Sequence, residues 1–304
     1  MRHAILGAGG IGGLIGACLA NAGATVTLIV KRESLAQYPK RMRLESPFGN
    51  IDVDVSCAAE VPPVDLLWVT VKATQLNAAL GAITNPEPVG AIVPLLNGVD
   101  HLQLLRSKYG AEKIIAATIA VESERVAPGH IVQRSPFARL NASSAGRNLL
   151  GSTLDQLQKT GFECRFIDDE ATLMWIKLVF LAPFALVTTA SSKSVGEILA
   201  DPYWRSQREA CVREACAVAL AEGAKVDVEA VIAGAAKLPP SMRSSMQKDV
   251  EQGKAPELDA IAGPILRGGQ RHGIATPATE KLVAAVERRA GSISSLIAQT
   301  ELSS

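Results

Sequence analysis

Between Ile5 and Gly13 the chain reads Ile-Leu-Gly-Ala-Gly-Gly-Ile-Gly-Gly, so five of nine residues are glycine. Ahead of this loop the apolar run His3–Leu6 suits a strand. Behind it Leu14, Ile15, Cys18 and Leu19 recur at helical spacing, and Gly23 offers a stop. Gly7, Gly9 and Gly12 fit G-x-G-x-x-G. The triplet alone is a weak signal, but a second strand, Thr25–Val30, completes strand, turn, helix and strand within about thirty residues. That order is the pyrophosphate cradle of a Rossmann fold. The first glycine permits a tight turn, the second lets backbone approach the phosphates, and the third lets helix and strand pack closely. The expected dinucleotide contacts are Gly7, Gly9, Gly10, Ile11 and Gly12.

The first half continues the alternation. Strands are expected at Leu66–Val71, Ala91–Leu95 and Ile114–Ala117, and helices at Gly12–Ala22, Gln75–Ala82 and Val99–Lys108. Near-continuous apolar strands separated by helices predict a doubly wound parallel sheet covered on both faces. Arg43–Glu45 and Ile51–Val55, flanking Ser46-Pro-Phe-Gly-Asn50, read as an inserted hairpin. Glu122–Phe137, with Pro128-Gly129 inside it, reads as a second hairpin at the sheet edge. From about Asp169 strand signals stop. Helical windows follow at Ala171–Ala190, Pro202–Glu222, Val228–Ala236, Ser241–Gln252, Glu257–His272 and Thr276–Arg289. The expected fold is therefore an α/β Rossmann-type domain, residues 1–168, and an all-α domain, residues 169–304. Ligands of such architectures bind at the carboxyl ends of the strands, so chemistry is expected to draw on both domains.

Composition narrows the partners. A formal net charge of +1 and 4% aromatics give no basic or base-stacking surface for nucleic acid. Five cysteines without a C-x-x-C pair read as reduced thiols in cytosol. The charged start leads directly into the glycine loop rather than into a signal-peptide core. The most apolar stretch, Leu173–Val187, is interrupted by Lys177 and Pro183 and falls short of the roughly twenty residues of a membrane span, as a core helix would. The four histidines have no metal-ligand spacing, and there is no G-x-S-x-G elbow, so neither a metal site nor serine chemistry is expected. Pro202–Glu222 and Glu257–His272 offer surface for a homodimer without demanding one.

The second strand ends in Lys31-Arg32, where an NAD site usually carries an acid. Two cations suit a 2′-phosphate, so NADPH (NADP) is the expected cofactor. Lys177 lies in Leu-Met-Trp-Ile-Lys-Leu-Val-Phe-Leu. An ammonium in such a run is partly desolvated at the domain junction, or its stem carries it to the surface. Desolvation lowers a lysine pKa and a nearby carboxylate raises it. Asp249 or Glu257 could supply that carboxylate. Lys72 and Asn97-Gly98 follow strands of the sheet, where side chains meet a bound cofactor.

With these residues in view, the chain resembles the ketopantoate reductase (2-dehydropantoate 2-reductase) family along nearly its full length. The matching segments are Gly7–Gly12, Lys31-Arg32, Val69-Thr-Val-Lys72-Ala, Leu96-Asn97-Gly98-Val99, Trp175-Ile-Lys177-Leu, Ser244-Ser245-Met246, Glu257-Leu-Asp259 and Arg271-His-Gly-Ile-Ala-Thr-Pro277. The resemblance implies reduction of a 2-oxo acid by NADPH. Lys177 matches the general acid, and Glu257 the acid that positions substrate and supports that lysine. Ser245 matches a substrate-carboxylate contact, Asn97 a residue at the cofactor–substrate junction, and Lys72 a cofactor-side contact.

One departure stands out. The family's best-known members carry asparagines after the catalytic lysine, and the corresponding positions here are Leu181, Ala185 and Val195. Ser191, Ser192 and Lys193 could compensate from the next turn. Ketopantoate is the favoured substrate. A more apolar 2-oxo acid or an imino acid is the alternative within enzymes, and a non-catalytic NADPH sensor the alternative outside them.

Overall fold

The computed structural model describes the backbone of residues 1–301 and the side chains of residues 1–293. It divides into two compact units. The first comprises Met1–Leu96 and Asp100–Leu173; the second comprises Asn97–Val99 and the chain from Met174 onward. The division thus falls within the long helix Glu170–Ser191, a few residues later than residue 168, and the short Asn97–Val99 segment groups with the helical unit.

The first unit is built on a parallel sheet. Strands β1 (Arg2–Leu6), β2 (Thr25–Ile29), β5 (Ser56–Ala58), β6 (Val64–Val69) and β7 (Val89–Pro94) lie in the order β5-β2-β1-β6-β7. All four pairings are parallel, with Ala4 opposite Thr27 and Leu67. Strand order reverses between β1 and β6, which is where a doubly wound sheet opens a crevice at its carboxyl ends. Ala4, Ile5, Leu66, Leu67, Trp68 and Val69 are completely buried, as strands covered on both faces require. Burying each aliphatic side chain of that size contributes roughly 1.5–3 kcal/mol.

Three expectations for this unit change. Ile114–Ala117 is not a sheet strand: Ile114 makes only an isolated parallel bridge to Ile92. The chain passes instead into β8 (Ala117–Ala120), which joins β11 (Ala138–Ser143) and β12 (Phe162–Ile167) in a separate three-stranded sheet. The second hairpin forms, as β9 (Ser123–Ala127) and β10 (His130–Gln133), but not at the edge of the parallel sheet. It pairs with the first hairpin, β3 (Arg41–Glu45) and β4 (Ile51–Asp54), in the order β4-β3-β10-β9. A two-residue period cannot say which sheet a hairpin will join, and a pairing between distant segments decided it. The helix expected at Gln75–Ala82 is fragmented into two 3₁₀ turns around Leu76–Ala79.

The second unit is helical. The long helix Glu170–Ser191, which enters this unit at Met174, has 22 residues and a mean hydropathy of 1.8 in its most apolar window, so by length and composition it could cross a membrane. The apolar run is thus extended beyond the sequence expectation, while 61% of that window is buried, as in a core helix. The helix Pro202–Ala221 starts with Asp201 accepting from Tyr203 and Trp204 N–H, and Pro202 stands at its first position. The window Glu257–His272 breaks into Leu258–Ile261 and Gly263–His272, where Pro264 restarts the turn. The helix expected from Ser241 begins only at Ser245, capped by Ser244. A short helix, Val195–Ala200, was not expected, although Ser194 and Glu197 have capping-box spacing and Glu197 accepts the Ser194 N–H at 2.8 Å.

Candidate active site

The glycine loop joins β1 to the helix Gly10–Asn21. Gly7 has φ +108°, a backbone conformation that costs a side chain dearly, and a Cβ there would also press on Val71 at 2.7 Å. At Gly12 a Cβ would collide with the Gly7 carbonyl and the Thr70 hydroxyl. That hydroxyl donates to Gly7 O at 2.8 Å and braces the turn from the end of β6. Around Gly9 a Cβ would meet nothing within 4 Å, so this face of the loop is open. Tight turn, open approach and close packing therefore fall on Gly7, Gly9 and Gly12 in the order a pyrophosphate cradle needs. Gly10 is a packing glycine as well, since a Cβ would run into the Ser123 carbonyl of β9. The first N–H groups of a helix have no intrahelical acceptor, and here the helix starts at Gly10, directly after the open Gly9. The loop fits a dinucleotide phosphate group on these grounds.

Lys31 and Arg32 are exposed beyond β2. Lys31 lies 3.9 Å from Glu33, and Arg32 contacts Glu60, the residue after next beyond β5, at 2.5 Å. Both are surface pairs, which contribute little and yield readily to a stronger anion. Lys72 is partly buried three residues beyond the end of β6, capping the start of a 3₁₀ turn.

In the helical unit three of the sequence-selected residues form one chain of contacts. The Lys177 ammonium donates to Asn97 Oδ1 at 3.1 Å, and Asn97 Nδ2 donates to Glu257 Oε2 at 3.4 Å. This pattern fixes the amide: its oxygen faces the cation and its NH₂ the carboxylate. Burial pushes the Lys177 pKa from 10.5 down to about 8, while the Glu257 carboxylate pulls it back up. The ammonium is therefore still mostly protonated at neutral pH and ready to release its proton just above it. The segment bearing Asn97 packs closely. Gly98 has φ +85°, and a Cβ on it would strike the Ala260 carbonyl in the helix that follows Glu257.

Ser245 is exposed at the first position of its helix. Its neighbour Ser244 is buried, accepts from Thr188 Oγ1 at 2.7 Å and from Gln247 N–H at 3.1 Å, and so ties this helix to the long one. Of the three positions where amides were missing, Ala185 and Val195 are buried in the helical core. Leu181 is partly accessible one turn beyond Lys177 on the same helical face. In the next turn Ser192, at φ +58°, has a buried hydroxyl without a hydrogen-bond partner, whereas the other two candidates are engaged. Ser191 spends its hydroxyl on Val187 O at 2.7 Å, and Lys193 pairs with Asp201 at 3.7 Å.

A Rossmann unit with an open glycine cradle, followed by a helical unit holding a partly desolvated lysine, defines a dinucleotide-dependent oxidoreductase. The chain matches "Ketopantoate reductase PanE/ApbA" over residues 3–145 and "Ketopantoate reductase PanE/ApbA C terminal" over residues 170–290, and it belongs to that family. It is 32% identical to a 2-dehydropantoate 2-reductase of Caulobacter vibrioides, across 92% of this chain and 96% of that protein. A ketopantoate reductase of the same family from Ralstonia eutropha superposes with a TM-score of 0.83 at 28% identity, covering 96% of this chain and 99% of the other. A D-mandelate dehydrogenase solved with NADH and anilino(oxo)acetate shares the fold at a TM-score of 0.84 and 22% identity, with 96% and 99% covered. The family reduces 2-oxo acids with a nicotinamide dinucleotide.

Proposed function

We propose that the chain reduces a 2-oxo acid to a 2-hydroxy acid with NADPH, and that 2-dehydropantoate, giving pantoate in pantothenate biosynthesis in the cytoplasm, is its substrate. The observation that carries this reading is the Lys177–Asn97–Glu257 chain. When bound, the dinucleotide supplies a hydride to the carbonyl carbon. Negative charge then develops on the carbonyl oxygen, and the Lys177 ammonium stabilises it and donates a proton to it. Asn97 orients the ammonium through its Oδ1. Glu257 keeps Lys177 protonated at neutral pH and helps position the substrate, and Ser245 binds the substrate carboxylate. Gly7, Gly9, Gly10, Ile11 and Gly12 hold the pyrophosphate and Lys72 another part of the dinucleotide. Lys31 and Arg32 grip the 2′-phosphate.

Leu181 favours a second reading of the substrate. An alkyl group one turn from the proton donor cannot recognise a hydroxyl, and a site lacking such a bond discriminates poorly for it. A 2-oxo acid with a bulkier apolar side chain fits that surface better than one with a hydroxyl. A steady-state screen of 2-oxo acids with NADPH and NADH tests both. NADPH oxidation with 2-dehydropantoate ahead of the other acids supports the first reading, and preference for an apolar acid supports the second. Dinucleotide binding with no turnover across the panel contradicts both and points to a sensor.

A further inference from the structure

Strand β9 runs beside the glycine loop, and the two-residue period of a strand decides which of its side chains face that loop. Ser123 and Arg125 share one side. Ser123 Oγ donates to Gly10 O at 2.9 Å, and Arg125 Nη1 reaches Ala8 O at 3.5 Å. Glu124, between them, points the other way and pairs with Arg134 at 2.7 Å. Arg125 is exposed, and no carboxylate among the described residues pairs with it. One long bond to a neutral carbonyl leaves most of its five donors and all of its charge unanswered. The same loop is open at Gly9 and leads directly into a helix, whose first N–H groups have no intrahelical acceptor.

We propose that Arg125 is a dinucleotide-binding residue whose guanidinium grips the pyrophosphate oxygens laid on the glycine loop. The inference rests on the dinucleotide reading above. Its geometry suits the group: a planar fork takes two oxygens of one phosphate at once, and the pairing is charge-assisted. The role differs from that of Lys31 and Arg32. Those two distinguish NADPH from NADH, whereas a pyrophosphate contact serves both equally.

Fluorescence titration of the purified protein with NADPH and with NADH tests this, alongside Arg125→Ala and Arg125→Gln. Arg125→Ala is expected to raise both dissociation constants by the same factor, about tenfold for one exposed charge-assisted contact. Glutamine keeps a hydrogen-bond donor on a shorter stem but carries no charge, so Arg125→Gln should lose as much affinity as Arg125→Ala. Unchanged affinity in both variants overturns the proposal, as does a loss confined to NADPH. Full affinity in Arg125→Gln also overturns it, because the residue would then act only by supporting the loop. If the unaltered protein binds neither dinucleotide, the reading beneath the proposal fails with it. An unaltered protein that binds both, with variants that bind equally well, removes Arg125 alone.

Discussion

Two basic side chains, one in each unit, lose hydration through burial, and they are treated in opposite ways. His3 lies on β1 of the α/β unit, fully buried, with Nδ1 accepting from Trp68 Nε1 at 3.3 Å. Burial, helped by the charged N-terminus, pushes its pKa from 6.5 down to about 4, so the ring is neutral throughout the physiological range. Lys177 is also pushed down by burial, to about 8, but Glu257 opposes the shift and the group stays charged at neutral pH. Both folded-state values lie below the unfolded ones, so each group takes stability away as pH falls from its unfolded to its folded pKa. For His3 that window is 6.5 to 4, below neutrality. For Lys177 it is 10.5 to 8, so at pH 7 the fold already carries the whole penalty of a buried cation. Desolvation alone therefore does not mark a working residue. The proposed role of Lys177 rests instead on its setting, an ammonium held by the Asn97 amide with the Glu257 carboxylate beyond it.

The contrast breaks most visibly at Lys177. Lys177→Ala is expected to lower kcat by about 10²- to 10⁴-fold, the usual contribution of a positioned acid, while the NADPH dissociation constant stays unchanged. Single-turnover kinetics with parallel binding titrations read both quantities. Near-normal turnover would leave the lysine as a tolerated core residue like His3.

On the α/β side, the double variant Lys31→Ala with Arg32→Ala should weaken NADPH binding by about ten- to a hundredfold and NADH binding far less. Equal losses for both dinucleotides in the same titration would place these cations away from the 2′-phosphate.

The smallest expected effect concerns His3. Between pH 7 and 5.5 its depressed pKa should remove about 1 kcal/mol of stability, because the unfolded imidazole takes up a proton that the folded one refuses. Urea unfolding at the two pH values measures this, and in His3→Leu that part of the pH dependence should vanish. A variant with the same pH dependence as the parent would show that other groups are responsible.

Much of this was legible in the sequence because it is local. The glycine loop announces strand, turn and helix within one short stretch, and the end of strand signals near Asp169 separates the two kinds of structure. Lys177 stood out as a charge in an apolar run. What stayed hidden depends on distant partners. The glycine spacing does not say that Gly10 packs on Ser123, and a turn sequence does not say that two hairpins will build one sheet. Asn97 follows a strand of the α/β sheet yet groups with the helical unit, where it bridges Lys177 and Glu257. Thr70 was visible only as part of a motif, and its bond to Gly7 O could not be inferred from spacing. Arg125 carried no signal at all until β9 was placed beside the loop.

The proton-donor role of Lys177 is tested most directly by the pH dependence of kcat for 2-oxo acid reduction, in the unaltered protein and in Glu257→Gln. The rate should hold near neutrality and decline above a pH of about 8 as the ammonium loses its proton. Without the carboxylate that raises its pKa, the decline should begin at lower pH in Glu257→Gln. A rate that stays flat from neutrality into the alkaline range, or a limb that does not move when Glu257 is neutralised, would contradict that role.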